Sequence, residues 1–456
     1  MSQTQDSIYY LEHAPVPRAI VHMVAPMMLS LFATIMYNIT NAFYIGRLDN
    51  TAMLAAITLA LPIAVVLMAL GNLFGAGAGT YVSRLLGENN AQKASYVSSV
   101  NFWFSLLTGV IFMAVCLPLL SPLLHLLGAR GDTLPYTHDY ILVFLLGAPF
   151  MIANSALEQS VRAEGASTAS MIGMVSSVVL NMILDPILIF GLRMNLIGAA
   201  LASVLASVAS VSWFVYYLHF RSNVQSVSLK DCRPSVEIFA NIFKVGISAF
   251  LLDAFLVVSV VMFNNIAVAY GDAVMASMGI AQRIEQAAGF IGMSFAMGVV
   301  PLLAYAYAAQ NYRRLMATLK TTTLYMVGAT LGVAAVLTLF RTQIIGLFSI
   351  DQAVIALGSA ILVAQLTATL FASGATLFTS IFQGCGKGVQ STVMSVMRGI
   401  IFIPVLLVAN SLFGLTGVIW SITIAEIIAC AVGLVMWLAL KSSLFERPVL
   451  QPELTS

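Results

Sequence analysis

Along this chain apolar residues come in long unbroken runs, separated by short clusters of polar, Gly or Pro residues, with no two-residue alternation of the kind a half-buried strand shows. A helix needs about 20 apolar residues to cross a hydrocarbon core roughly 30 Å thick. The pattern predicts six such helices near 20–44, 52–83, 98–122, 139–161, 168–192 and 196–219. Six more follow near 240–268, 273–307, 317–341, 353–382, 389–412 and 415–439. Between the sets lies RSNVQSVSLKDCRPSVE, the longest polar stretch of the interior. The predicted organisation is an amino-terminal six-helix lobe at 1–220, a cytoplasmic linker at 221–237 that absorbs relative motion, and a carboxy-terminal six-helix lobe at 238–456. A transmembrane β-barrel would need alternating segments of about ten residues. These runs are longer and unalternating, so the expected fold is an all-α integral membrane protein of twelve transmembrane helices.

Composition agrees: 60% of the 456 residues are hydrophobic and 8% are Asp, Glu, Lys or Arg, against about 25% charged in an average soluble domain. A net charge of +2 with scattered basic residues gives no nucleic-acid surface. Charge placement is more informative. Fifteen Lys and Arg, among them Arg18, Arg84, Lys93, Arg221, Arg314, Arg398 and Arg447, fall on the side of the two termini. Only Arg47, Arg130, Arg193 and Arg341 fall on the other, with Arg283 inside a span. This positive-inside bias puts both termini in the cytoplasm and the protein, as a multi-pass chain, in the cell (inner) membrane. The polar start lacks the pattern of a cleavable signal, so the first run is kept as a helix. Cys116, Cys232, Cys385 and Cys430 show no close pairing and read as small buried hydrophobes.

Sliding the sequence by 221 residues brings Ala55, Ala60, Ile63, Gly71, Phe74, Gly77 and Asn90 onto Ala276, Ala281, Ile284, Gly292, Phe295, Gly298 and Asn311, and Gly165 onto Gly386. An even number of spans separates the copies. The lobes are therefore expected to share one orientation, related by a pseudo-two-fold axis along the membrane normal.

An ionisable group in hydrocarbon costs at least about 2.5 kcal/mol, so it needs a partner or a use. Asp185 lies in the fifth span, and Asn181, four residues earlier, shares its helix face. Pro186 frees a carbonyl of the preceding turn. Such oxygens suit a shuttled proton or a small cation. Asn38 and Asn41 lie on one face of the first span. In the second half the candidates for a substrate cleft are Asp253, Gln282, Arg283, Glu285, Gln286 and Glu426, together with Asn38. Arg283 is expected to pair with Asp253, and Glu158 with Arg162 as an ordinary helix-end ion pair. No H-E-x-x-H, G-x-S-x-G or Gly-rich Lys-Ser/Thr loop occurs, which argues against an enzyme or an ATP-driven pump. The energy then comes from an ion gradient.

The segments YNITNAFYIGRL (37–48), GAGTYVSRLLGENNAQKA (77–94), RAEGASTASM (162–171), NMILDPILIFGLRMNLIGAALAS (181–203), NNIAVAYGDAVMASMGIAQRI (264–284), FQGCGKG (382–388) and FGLTGVIW (413–420), in that order, resemble the multidrug and toxic compound extrusion (MATE) family, its MepA-type branch most closely. The resemblance implies a secondary active antiporter that exports amphipathic or cationic drugs by alternating access of two lobes around a cleft, with no cofactor. It implies a cation-coupling site of Asp185, Asn181, Ser203 in place of the usual Thr, and Asn41 where the family has Asp. With one carboxylate left in that lobe, the coupling ion is expected to be a proton, the alternative being sodium at Asp185. The expected partners are the lipid bilayer and small-molecule substrates, and the expected state is a monomer. A flippase for a lipid-linked saccharide is the second reading, and a non-transporting membrane receptor the third.

Overall fold

The apolar runs become helices because a chain crossing lipid must satisfy its backbone N–H and C=O groups within itself. In the computed structural model, which describes residues 3–48 and 50–445, a short helix α1 (Gln3–Glu12) precedes the first lobe. That lobe holds α2 (Val16–Gly46), α3 (Thr51–Gly87), α4 (Ala91–Cys116), the short α5 (Leu120–Leu126), α6 (Thr133–Ala163), α7 (Ser167–Pro186) and α8 (Asn195–Phe220). The second holds α9 (Val236–Val268), α10 (Asp272–Gly298), α11 (Val300–Ala308), α12 (Tyr312–Leu339), the short α13 (Arg341–Gly346), α14 (Gln352–Gly384) and α15 (Gly388–Phe445). Among the described residues eleven helical stretches are long and apolar enough to cross a membrane. The last of them crosses twice. Inside α15, Gly414 has φ 56° and ψ −134°. Gly417 lies against the Ala409 carbonyl, which a straight helix would hold about 12 Å away. The chain therefore turns back at Gly414 and the two parts make the last two crossings.

The repeat seen in the sequence is a repeat of structure. Asn90 and Asn311 both cap a helix, accepting from the amides of Lys93 (3.1 Å) and Arg314 (3.0 Å). Each follows a residue of positive φ, Asn89 at 57° and Gln310 at 53°. One element breaks the symmetry. The stretch equivalent to continuous α3 is interrupted at Val299, between α10 and α11, because Pro301 has no N–H for the preceding turn.

Packing locates a cleft. One apolar cluster joins α3, α6 and α8 at the start-of-α3 end of the first lobe, through Ala60, Leu67, Ile141, Phe144 and Ala200. A separate one joins α9, α10, α14 and α15 in the second, through Phe263, Met278, Ile361 and Leu406. Only the cluster on the termini-bearing side runs through both lobes, from Leu11 and Phe74 to Ile242, Leu303 and Phe382. There α3 and α9 touch backbone to backbone: Gly77 lies on the Ile242 carbonyl and Gly246 on that of Leu73, where a Cβ would collide. The lobes are thus joined in a seam on one side and part on the other.

One element is added and two expectations are corrected. The polar start, outside the twelve expected spans, contains α1. The linker is not free along its length: Gln225 is buried, donating to the Ser160 carbonyl (2.9 Å) and to Glu164 (3.0 Å), and the Val227 carbonyl accepts from Trp103 (3.1 Å). Of the cysteines only Cys385 is buried, the other three being half-buried, and all four are free.

Candidate functional site

In the first lobe α7 carries Asn181 and Asp185 one turn apart, and α8 brings Ser203 to them. Asp185 is 1% exposed and Asn181 5%. The Asn181 amide has one orientation that satisfies both of its ends. Its nitrogen donates to the Asp185 oxygens (3.0 and 3.2 Å), and its oxygen accepts from the Ser203 hydroxyl (3.1 Å). From α2, the Tyr37 hydroxyl lies beside Ser203 and Asn181. Asn41 reaches the cluster only through Tyr37, its amide lying 3.4 Å from that hydroxyl. Tyr140 of α6 is buried in electrostatic range of Tyr37 and Asp185. Thus Asp185, Asn181 and Ser203 come together as expected, Asn41 stands one residue removed, and Asn38 is exposed. Tyr37 and Tyr140 were missed, although Tyr37 lies one helical turn before Asn41 and so shares its face.

The second lobe distributes its polar residues differently. Arg283 does not pair with Asp253. It is exposed, and Asp253 instead accepts from Asn72 of α3 across the seam (2.8 Å), Asn72 in turn accepting from Gln159 (2.9 Å). The geometric reason is that Asp253 points to the first lobe while Arg283 leaves the packed face of α10. The cation with a carboxylate partner is Arg398, its side chain 16% exposed, which pairs with Glu426 at 2.8 Å and donates to Thr376 at 3.1 Å. It therefore does not belong with the basic residues of the connections. Glu285 accepts from Thr369 (2.6 Å). Gln282 and Gln286 are exposed. Gln282, Arg398 and Glu426 line a cavity of about 150 Å³ together with Phe255, Phe263 and Phe402. The Glu158–Arg162 pair (3.0 Å) is interior, and Arg162 also donates to the Met27 sulfur. It ties α6 to α2 inside the first lobe.

Two repeated six-helix lobes, joined at one face and parted at the other, with buried polar residues at mid-depth, define a multi-pass membrane transporter. The MatE family model matches twice, at residues 26–187 and 247–408, the second match shifted from the first by the same interval as the internal repeat. The chain belongs to this family of ion-coupled multidrug transporters and is not an enzyme. It is 41% identical over 436 residues to the multidrug export protein MepA of Staphylococcus aureus strain MRSA252, covering 95% of this chain and 96% of the relative. The MepA of Staphylococcus saprophyticus is likewise 41% identical over 436 residues, with the same coverage. A solved outward-facing conformation of a multidrug resistance MATE family transporter superposes with a TM-score of 0.89 at 25% identity, over 96% of this chain and 98% of that one.

Proposed function

We propose that the protein is a monomeric drug–proton antiporter of the cell (inner) membrane, exporting amphipathic or cationic compounds, with lobes 1–220 and 238–456 rocking about the connection between them. With Arg398 set aside, fourteen basic residues against four favour cytoplasmic termini, and with that orientation the parted face of the cleft opens outward. Asp185 is the coupling group. In the outward-open arrangement it takes a proton from outside as drug leaves, and a neutral carboxyl then lets the lobe close without burying a charge.

The observation that carries the choice of proton is that Asp185 is the one carboxylate of its cluster. Asn41, an uncharged amide, stands one residue removed from it behind Tyr37. A sodium ion wants several hard oxygens converging on one point. A proton needs only the carboxylate itself. The substrate is assigned to the cleft between the lobes, where Asn38, Gln282, Arg283 and Gln286 are exposed and Asp253, Glu285 and Glu426 lie deeper. A flippase of lipid-linked saccharides needs several free cations for its pyrophosphate. Pairing of Arg398 with Glu426 removes one of the two in the spans.

The test uses purified protein in vesicles loaded with a cationic dye. An imposed proton gradient should drive efflux, and a sodium gradient at matched pH should not. Asp185→Asn should insert and fold yet show no gradient-driven efflux. Wild-type rates in Asp185→Asn would overturn the assignment of Asp185, and efflux driven by sodium alone would overturn that of the proton.

A further inference from the structure

The internal repeat sets two basic residues at equivalent places on the seam. Lys93 and Arg314 each stand three residues after the capping Asn, at the starts of α4 and α12. Each reaches across to the segment that leads into the opposite lobe. Lys93 of the first lobe holds Glu237 at the start of α9 (2.5 Å). Arg314 of the second holds the end of α1, just before α2. Its Nε, Nη1 and Nη2 donate to the carbonyls of Leu11, Ala14 and Tyr10, each at 2.8 Å.

We infer that these are a pair of symmetry-related clasps that keep the seam shut, the stronger of them made by Arg314 on α1, and that each must let go whenever the lobes part on this face. The inference rests on the alternating-access reading above. The carbonyls that Arg314 collects belong to the last turn of a helix and to the residues just past it, where intrahelical donors run out and the dipole is negative. A guanidinium offers rigid, divergent N–H groups that suit such a fan of acceptors.

The rest of α1 is fixed to the first lobe. The Tyr10 ring stacks on His22 of α2, centroids 3.6 Å apart and planes at 3°. His22 Nε2 lies 3.3 Å from the Gly165 carbonyl, and the Ser7 carbonyl rests against Gly165. Leu11 and Ala14 are fully buried in the apolar cluster that both lobes share. To the second lobe α1 is held by packing on α11, by Arg314 and by the Tyr305 hydroxyl, which donates to Glu12. Water can replace those bonds once the seam opens. α1 should therefore travel with the first lobe and leave Arg314 behind.

The two clasps are unequal in a measurable way. Lys93 and Glu237 are solvated, their side chains 29% and 61% exposed, and such pairs shift an equilibrium by at most about fivefold. Three charge-assisted bonds from a half-buried Arg314 should shift it tenfold or more. The readout is the rate at which a water-soluble maleimide alkylates Ala306→Cys, a position fully buried in the seam, in full-length protein whose own cysteines are replaced by serine. Arg314→Gln should raise that rate at least tenfold, Lys93→Gln no more than about fivefold, and Arg313→Gln, an exposed neighbour, not at all.

A second variant keeps the test decisive if Arg314→Gln folds poorly. Oxidation of the pair Glu12→Cys and Tyr305→Cys, whose native side chains meet, should stop dye efflux, and a reductant should restore it. An alkylation rate in folded Arg314→Gln equal to the parent's, or undiminished efflux by the oxidised pair, would overturn the inference. If the parent itself shows no alkylation during turnover, the alternating-access reading fails instead.

Discussion

The two lobes share a scaffold, and two of their polar clusters, Asp185 with Asn181 in the first and Arg398 with Glu426 in the second, treat charge in opposite ways. Shifted by the repeat interval, Asn181 and Asp185 fall on Phe402 and Leu406, both packed in the apolar core of the second lobe, and Tyr37 falls on Val258. In the reverse direction Arg398 and Glu426 fall on Ser177 and Leu205. Of these two clusters, the first has a carboxylate that meets an amide and no cation, and the second a carboxylate neutralised by an arginine. Protonation changes the net charge of a lobe most where no counter-ion answers it. On the proposed coupling, Asp185 is therefore the group that answers a proton, and the Arg398–Glu426 pair the one that holds the shape of its lobe.

The sharpest way to break this contrast is to unbalance the second lobe. Arg398→Met leaves Glu426 without its counter-ion, and breaking a buried pair in this way costs roughly 3–5 kcal/mol. Thermal unfolding in detergent should show a large drop for Arg398→Met and recovery of most of it in Arg398→Met with Glu426→Leu. The double variant should keep the wild-type pH profile of efflux. A single variant as stable as wild type, or a double variant with an altered pH profile, would mean that the second lobe shares in coupling.

A middle-sized effect is expected from adding charge to the first lobe. Asn41→Asp puts a second carboxylate beside Tyr37, which already touches Asn181 and Ser203. Two carboxylates in one small cluster titrate as a coupled pair. Efflux should gain a second titration step and a dependence on sodium, read from its rate over a pH series with and without that ion. An unchanged profile would place residue 41 outside the coupling cluster.

The spans, their number and the repeat were legible in the sequence because hydrophobic length and polar punctuation are local properties. The turn at Gly414 was expected for the same reason, and so was the pairing of Asn181 with Asp185, which needs only helical spacing. What the sequence could not supply were partners across helices. The sequence placed Arg283 inside a span and counted Arg398 with the connections, and only packing reveals that the latter lies within and meets Glu426. α1 escaped notice because its apolar residues are few and its burial comes from Arg314, about 300 residues away. Tyr37 was hidden among aromatic residues ordinary for a membrane helix.

The smallest effect compares one turn in both lobes. Gly165 and Gly386, with φ of 89° and 67°, close equivalent connections, and the residues before them are Glu164 and Cys385, the former fully buried and the latter nearly so. Burial pushes the Cys385 thiol up to about 12, so it stays neutral at any physiological pH. Burial also pushes the Glu164 carboxyl above its ordinary value, against the opposing hydrogen bonds from Ser222, Tyr217 and Gln225. The folded state then binds this proton more tightly than the unfolded chain, whose glutamate titrates at about 4.3. Glu164 thus contributes its full stability below that pH and loses it as pH rises through the folded value. Glu164→Gln removes the titration while keeping a side chain that can accept from Ser222. It should melt about 1–3 °C above wild type at pH 8, the difference closing as pH approaches about 4.5. Cys385→Ser should show no such pH-dependent gap. Equal differences for Glu164→Gln at both ends of the range would show that its carboxyl titrates at the same pH folded and unfolded, and the two turns would then be alike in charge as they are in backbone.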